Sequence, residues 1–440
     1  MSLPAPAQRT LDQKPSLWVQ LNSACAKYKP LNLGQGFPDF MANKTILKNL
    51  RTTAADDCSP FLHQYTRAAG HPRLVNALAK LLVHRCRHDP AVSGPIPANL
   101  AADTFGPERS IDPMKEIIVS VGGYGALSAV FFALLNPGEE VVIIEPAFDC
   151  YVPQIVAAGG VPVCVPLKPP KDVTADIDSS EFAVDFELLE KSINKKTKIL
   201  LLNTPSNPVG KVFSVEELKK IADICIRHNL ICVSDEVYEW LVFPPNKHYK
   251  IASFPGMWNR TVTIGSAGKT FQVTGWKLGW TVGPERYIAA MQIIQQNTVY
   301  TCATPLQEAL AMTIEEELPL LGTEKSFFHQ ITQDVMRKGQ KIAQALKKVG
   351  MPPIRPQAGY FLLASIANMA LPASSPTSRD KRPKDVAYNE WMMLHKGLAA
   401  VPPTAFCCTK HQPLFEKYLR FCIIKDDATI NKFLELLNNW

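Results

Sequence analysis

None of the eleven cysteines in this 440-residue chain stands in a Cys-x-x-Cys pair, and their number is odd. That excludes a closed disulfide framework and the common zinc-ribbon spacings. Several, such as Cys164, Cys225 and Cys232, lie inside apolar runs, where a free thiol behaves as a small hydrophobe, and the pattern points to a reducing compartment. No run approaches the ~18 apolar residues of a membrane span. Residues 1–15 have neither the apolar core of a secretory signal nor the arginine-rich amphipathic pattern of an organelle presequence, so the cytoplasm is the expected location. Excess charge is small: 47 Lys and Arg against 40 Asp and Glu give +7. Lys195-Lys196 and Lys219-Lys220 read as solvated helix faces, and Arg379 to Lys384 carries an acid and a proline, so no nucleic-acid stripe is expected. There is no internal repeat. Two phosphate motifs each fall one residue short. A P-loop ending at Gly268-Lys269-Thr270 needs glycine where Thr263 stands, and a dinucleotide fingerprint starting at Gly123 needs glycine where Ser128 stands.

What remains is a large globular chain of two or three domains in which strand and helix patterns alternate, the signature of a parallel sheet. Ile117–Val121 reads as a strand, 124–135 as a buried helix stopped by Asn136-Pro137-Gly138, and Val141–Ile144 as the next strand. Ser214 and Glu217 have capping-box spacing and open an amphipathic helix to about His228. Polar residues follow the apolar runs: Asn203 and Asn207 after Ile199–Leu202, Asp235 after Ile231–Val233, Ser266 after Thr261–Gly265. In open parallel sheets ligands bind beyond the carboxyl ends of the strands. One crevice is therefore expected to gather Gly122 to Tyr124, Phe148, Asn207, Asp235, Tyr238 and Ser266. Lys269 follows small residues just past a strand. An amine that must attack an aldehyde is best held in such a crowded, poorly solvated place, where its charged form is disfavoured. A lone lysine would more often be solvated, and a lone aspartate at a strand end more often a turn residue. Asp235, Tyr238 and Lys269 together argue for a site.

The pieces Asn207-Pro-Val-Gly210, Ser234-Asp-Glu-Val-Tyr238, Ser266-Ala-Gly-Lys269 and Gly275-Trp-Lys-Leu-Gly-Trp280 resemble the fold-type I aminotransferases that use pyridoxal 5'-phosphate. More narrowly, Leu33-Gly-Gln-Gly-Phe-Pro-Asp39, Asp149-Cys-Tyr151 and Gln296 to Pro305 resemble the kynurenine aminotransferases, also known as cysteine-S-conjugate β-lyases and glutamine transaminases. Tyr300-Thr-Cys-Ala-Thr304 is most similar to the third type within that group. The resemblance runs from about Trp18 to the C-terminus. It implies an α/β fold with a mainly parallel central sheet in a large cofactor-binding domain, 49–317. A smaller α/β domain would be built from both chain ends, 18–48 plus 318–440, after an N-terminal arm, 1–17.

The resemblance also implies roles. Lys269 would hold the cofactor covalently and move a proton, with Asp235 on the pyridine nitrogen and Asn207 and Tyr238 on the ring oxygen. Phe148 would stack on the ring, and Asn203 would join the cofactor contacts. Ser266, Lys277 and the amides of Gly122, Gly123 and Tyr124 would hold the phosphate, and Tyr65 would reach the phosphate of a neighbouring subunit in a homodimer. Arg420 would bind the substrate carboxylate, with Trp18, Gly36, Tyr124, Asn207 and Tyr300 completing the pocket. The implied reaction is transamination of kynurenine, glutamine and other aromatic or uncharged amino acids with a 2-oxo acid, with cysteine-S-conjugate β-lyase activity beside it. A lyase or another aminotransferase of the same fold, acting on a different amino acid, is the alternative. Relatives also occur in mitochondria. No metal is expected: the spacing of His84, Cys86 and His88 would point them in different directions on a helix. The stretches 84–113 and 371–384 read as surface insertions, and Phe40 to Lys44 lacks the prolines that the family pattern has there.

Overall fold

The computed structural model describes residues 4–11, 16–106, 109–173, 177–371 and 382–440. Most of the 371–384 stretch, part of the N-terminal arm and the side chain of His84 lie outside the described residues. In chain order the strands are β1 (Leu31–Asn32), β2 (Ile117–Val121), β3 (Glu140–Glu145), β4 (Val161–Pro166), β5 (Thr197–Asn203), β6 (Ile231–Asp235), β7 (Thr261–Ser266), β8 (Leu278–Val282), β9 (Pro353–Ile354), β10 (Phe361–Ser365), β11 (Leu398–Ala399) and β12 (Tyr418–Cys422).

Seven strands form the central sheet in the order β2-β8-β7-β6-β5-β3-β4. All are parallel except β8, which runs antiparallel to both neighbours. Ile199 to Leu202 and Ile231 to Val233 are buried on both faces, as strands covered by helices on two sides must be. The expected strands are present, and the capping box closes as read: the Glu217 amide donates to Ser214 Oγ at 3.1 Å and the Ser214 amide to Glu217 Oε2 at 2.9 Å. The buried helix starts at Gly122, two residues before its expected start. Gly122 takes φ +66°, a conformation that lets the chain turn from β2 straight into the helix.

The chain ends meet elsewhere. β1 pairs in parallel with β11, and β12, β10 and β9 form an antiparallel sheet in which Arg420 lies opposite Leu363. We propose that these elements form the smaller domain, 18–48 with 318–440, beside a large domain at 49–317 and an arm at 1–17. The 48/49 boundary falls inside the helix Lys44–Thr53, which Asn49 ties to the helix Thr304–Glu317 through a 3.1 Å bond to Thr313. The stretch 84–113 lies at the surface over residues 89–103, as expected, but it is anchored further along. Phe105 is fully buried with its ring 4.5 Å from that of Trp258, and the Gly256 amide donates to Thr104 Oγ1 at 3.0 Å. An aromatic anchor docks the segment on the large sheet's flank.

Gly279 of β8 fixes the start of the long helix. A Cβ there would stand 2.6 Å from the Gly122 carbonyl carbon, and rigid backbone cannot yield as a flexible side chain would. Gly279→Ala should therefore displace the Gly122 turn at a cost of about 1–3 kcal/mol. Equilibrium dialysis is expected to show binding of the cofactor that the resemblance implies weakened at least about tenfold, while circular dichroism still reports a folded chain. Unchanged affinity would show that the close approach of the two glycines does not position the turn.

Candidate active site

The carboxyl ends of β2, β5, β6 and β7 open on one cavity of about 330 Å³. That is enough for a cofactor-sized ring with a small substrate. At one end, Gly122 and Gly123 present the N-terminus of the helix Gly122–Leu134, where free amides and the helix dipole favour an anion. Lys277 crosses this end in the left-handed conformation (φ +53°), and its amine lies 5.1 Å from the centre of the Tyr124 ring. A Cβ on Gly122 would sit in ordinary contact with that amine at 3.5 Å, and it is the φ of +66° that favours glycine at this turn. Ser266, at the end of β7, lines the same wall.

Asp235 ends β6 and is almost wholly buried. Its Oδ2 accepts from the Tyr151 hydroxyl at 2.6 Å and its Oδ1 from the Val237 amide at 3.3 Å. Burial pushes the carboxyl up to about 6 despite those two donors, which favour the ionised form. Asn203 has its amide engaged with backbone. It donates to the Asp235 carbonyl at 3.0 Å and accepts from the Asn207 amide at 2.7 Å, so it shapes the loop while lining the cavity. Tyr238 lies beneath, and burial raises its hydroxyl pKa.

Lys269 sits in the single-turn helix Ala267–Thr270. Its Nζ donates to the Gly36 carbonyl at 3.1 Å and lies 5.1 and 5.9 Å from the ring centres of Tyr360 and Tyr238. Burial brings the amine down to about 8, with the charges of Arg420 and Lys277 acting in the same direction. Near neutrality a useful share of Lys269 is therefore uncharged and nucleophilic.

Arg420 is fully buried. One of its terminal nitrogens donates to Asn207 Oδ1 at 2.8 Å, the other to the Gly34 carbonyl at 2.9 Å, and Nε has no partner. Its guanidinium lies 3.8 Å from the centre of the Phe361 ring, 4.9 Å from Phe406 and 5.6 Å from Trp18. Burial lowers its pKa to about 10, leaving it charged at neutral pH. Trp18 is held by a 3.1 Å bond from its indole nitrogen to Asp149 Oδ1. Phe148 meets Tyr124 edge-on at 5.5 Å.

Of the residues singled out in the sequence, Trp18, Gly36, Gly122, Gly123, Tyr124, Phe148, Asn203, Asn207, Asp235, Tyr238, Ser266, Lys269, Lys277 and Arg420 line this cavity. Tyr65 and Tyr300 do not. They pack edge to face at 5.3 Å, Tyr65 largely and Tyr300 about half exposed. A turn with φ +68° after the helix Glu285–Thr298 sends Tyr300 there, away from the pocket in which it was expected. Tyr151, Tyr360 and Phe361 had no assigned role. Tyr151 stood in the quoted motif Asp149-Cys-Tyr151, whereas Tyr360 and Phe361 come from β10 and its approach, in a run with no polar marker.

The cavity suits pyridoxal phosphate: an amide cradle with a lysine for the phosphate, a buried carboxylate for a ring cation, and an amine of lowered pKa. A family model, Aminotransferase class I and II, matches residues 28–437. Kynurenine--oxoglutarate transaminase 3 of Homo sapiens is 42% identical over 97% of this chain and 88% of its own length. Kynurenine--oxoglutarate transaminase 1 of the same species is 39% identical over 96% and 95%. Among solved structures, Bna3p of Saccharomyces cerevisiae, a candidate kynurenine aminotransferase, superposes with a TM-score of 0.87 at 30% identity, covering 100% of this chain and 99% of that one.

The lowered Lys269 pKa carries a sign. The protonated fraction falls as pH rises through about 8, so uptake of pyridoxal phosphate by cofactor-free protein should accelerate between pH 6.5 and 8 and level off above. Stopped-flow absorbance gives the profile. Borohydride reduction of the loaded protein should leave the pyridoxyl mass on the Lys269 peptide. A rate still climbing steeply above pH 9, or the mass on another lysine, would remove Lys269 from this role.

Proposed function

The chain belongs to the class I and II aminotransferases, enzymes that depend on pyridoxal phosphate, and we propose that it moves the amino group of kynurenine, glutamine and other aromatic or uncharged amino acids to a 2-oxo acid. The observation that carries this reading is Arg420, a fully buried guanidinium with an unpartnered Nε on an aromatic floor. A guanidinium fork fits an α-carboxylate with parallel hydrogen bonds and fixes the Cα proton relative to Lys269. The relatives named for kynurenine transamination support the choice of donor.

Bound, the cofactor supplies the electron sink for the pair left when the Cα proton departs. Asp235, supported by Tyr151, would balance a protonated ring nitrogen. Asn207 and Tyr238 would donate to the ring oxygen, and Phe148 would cover one ring face. Ser266, Lys277 and the amides from Gly122 to Tyr124 would hold the phosphate. Lys269, freed when the substrate amine takes its place, would accept the Cα proton and return it at the carbon that receives it. Where the β-carbon carries a leaving group such as a thiolate, loss of the same proton lets that group depart, so β-lyase activity on cysteine conjugates belongs to this reading.

The exposed pair Tyr65 and Tyr300 supports a homodimer in which these rings face a second copy, Tyr65 toward the partner's phosphate end. The proposed location is the cytoplasm. Among the described residues no helix is long and apolar enough to cross a membrane.

Donor range follows from charge. Lys269 and Lys277 serve the cofactor in this reading, and Arg420 serves the α-carboxylate. The Asp149 carboxylate, which accepts from the Trp18 indole, is close enough to act on Arg420. An acidic side chain would lie buried without a cation, at a cost of several kcal/mol. In a donor panel, kynurenine, phenylalanine, methionine and glutamine should exceed aspartate in kcat/KM by at least about 100-fold. Arg420→Ala should weaken every donor by a similar factor, worth about 2–5 kcal/mol. Aspartate matching phenylalanine, or a variant that spares some donors, would overturn this reading.

A further inference from the structure

Outside the cavity, three chain segments bring Glu145, Cys164 and Cys408 together, with His411 against two of them. Glu145 ends β3, Cys164 lies in the adjacent β4, and Cys408 and His411 follow Phe406 in the C-terminal third. One ligand atom from each of Glu145, Cys164 and Cys408 lies within 4.8 Å of the other two. His411 Nδ1 is 2.8 Å from Glu145 Oε2 and 3.2 Å from Cys408 Sγ, and the Cys408 amide donates to Glu145 Oε1 at 2.8 Å. Zinc bonds of about 2.0–2.3 Å in tetrahedral geometry place ligand atoms roughly 3.3–3.8 Å apart, so Glu145, Cys164 and Cys408 need only small side-chain movements to surround an ion, and His411 would join from the side of Glu145 and Cys408. Glu145 and His411 are buried, while the two thiols are partly exposed and leave a way in.

A second cluster in the chain shows what a closed charge group looks like. Glu236, Glu239 and His248 also converge, but Lys250 Nζ already stands 2.8 Å from both carboxylates and occupies the cation's place. At the first cluster, the only ion pair of Glu145 among the described residues is with His411.

We propose that Glu145, Cys164, Cys408 and His411 form a site for a borderline-soft divalent cation of the zinc type. Two thiolates, an imidazole and a carboxylate are donors that such an ion takes, and the thiolates and imidazole are ones that magnesium and calcium avoid. Burial, with the Glu145 carboxylate beside it, keeps the Cys164 thiol protonated until an ion arrives. Binding then transfers the thiol protons to solvent as the metal–sulfur bonds form. The ion would fasten the segment after Phe406 to the end of β3, where the Ala147 amide already donates to the Phe406 carbonyl at 2.8 Å.

The test uses cofactor-loaded protein, kept reduced, stripped with a chelator and titrated with Zn²⁺ against a chromophoric competitor. One ion per chain is expected, with sulfur in its shell by X-ray absorption and a raised melting temperature. Cys408→Ser and His411→Gln should each weaken binding by more than the roughly 10–100-fold that loss of an outer-shell partner causes. Cys407→Ser is the neighbouring control, because the Cys407 thiol is directed to the Pro403 carbonyl at 3.7 Å, and it should leave affinity unchanged. Retained melting temperature of the metal-free variants separates lost ligation from misfolding. Wild-type protein that binds no zinc, a shell without sulfur, or equal affinity in Cys408→Ser, as for an ion held by the cofactor, would overturn the proposal.

Discussion

Three ionisable groups, Asp235, Lys269 and Arg420, share one cavity, and among the described residues none of them forms an ion pair. Burying an unpaired charge is among the largest penalties in folding. The chain shows a different solution one residue away: Glu236 meets Lys250 at 2.8 Å, and the nearby cations hold its carboxyl down at about 2. The cavity groups are spaced so that they answer to hydrogen-bond donors, carbonyls and aromatic faces. We take the missing partners to be the ligands: a cationic ring nitrogen for Asp235, an aldehyde for the Lys269 amine, a carboxylate for Arg420.

The fold supplies that arrangement by joining two sheets. Asp235 and Lys269 follow neighbouring strands of the central sheet, β6 and β7, while Arg420 belongs to β12 in the smaller sheet. Three contacts tie them: Lys269 to the Gly36 carbonyl, and Arg420 to Asn207 and to the Gly34 carbonyl. The segment 34–36 thus touches both charges. It is closely packed: a Cβ on Gly36 would stand 2.4 Å from the Phe361 ring, and one on Gly34 would stand 2.8 Å from the Ala400 carbonyl. Positions fixed this tightly hold charges apart without the pairing that would quench them.

The sequence was most legible where chemistry follows a strand. Apolar runs of fixed length ending in Asn203, Asp235 or Ser266 mark both an element and its carboxyl end, so one rule located three walls of the cavity. Legibility fell where position depends on distant packing. The bond from Trp18 to Asp149 spans 131 residues, and Phe361 beneath Arg420 looks like any core aromatic in its local run. Tyr300 stands outside this chain's own cavity, beside Tyr65, and its motif says nothing of the positive-φ turn that carries it there. The stretch 84–113 read as a surface insertion, and the local pattern did not mark Phe105 as the aromatic that anchors it against Trp258. The Glu145 cluster had no sequence signature, since its ligands come from positions 145, 164, 408 and 411.

The central claim is that the cavity charges await ligand partners, and stability measures it directly. Burial raises the Asp235 carboxyl from 3.8 to about 6. Above that pH the folded protein carries an ionised group at a cost on the order of 3 kcal/mol, and below about 3.8 the cost is gone. At pH 7.5, cofactor-free Asp235→Asn should therefore be at least as stable to urea as the parent, and should gain much less stability when pyridoxal phosphate is added. If the variant is less stable without cofactor and gains as much as the parent on binding it, Asp235 is a structural residue, and the charges of this cavity are not held in wait for a ligand.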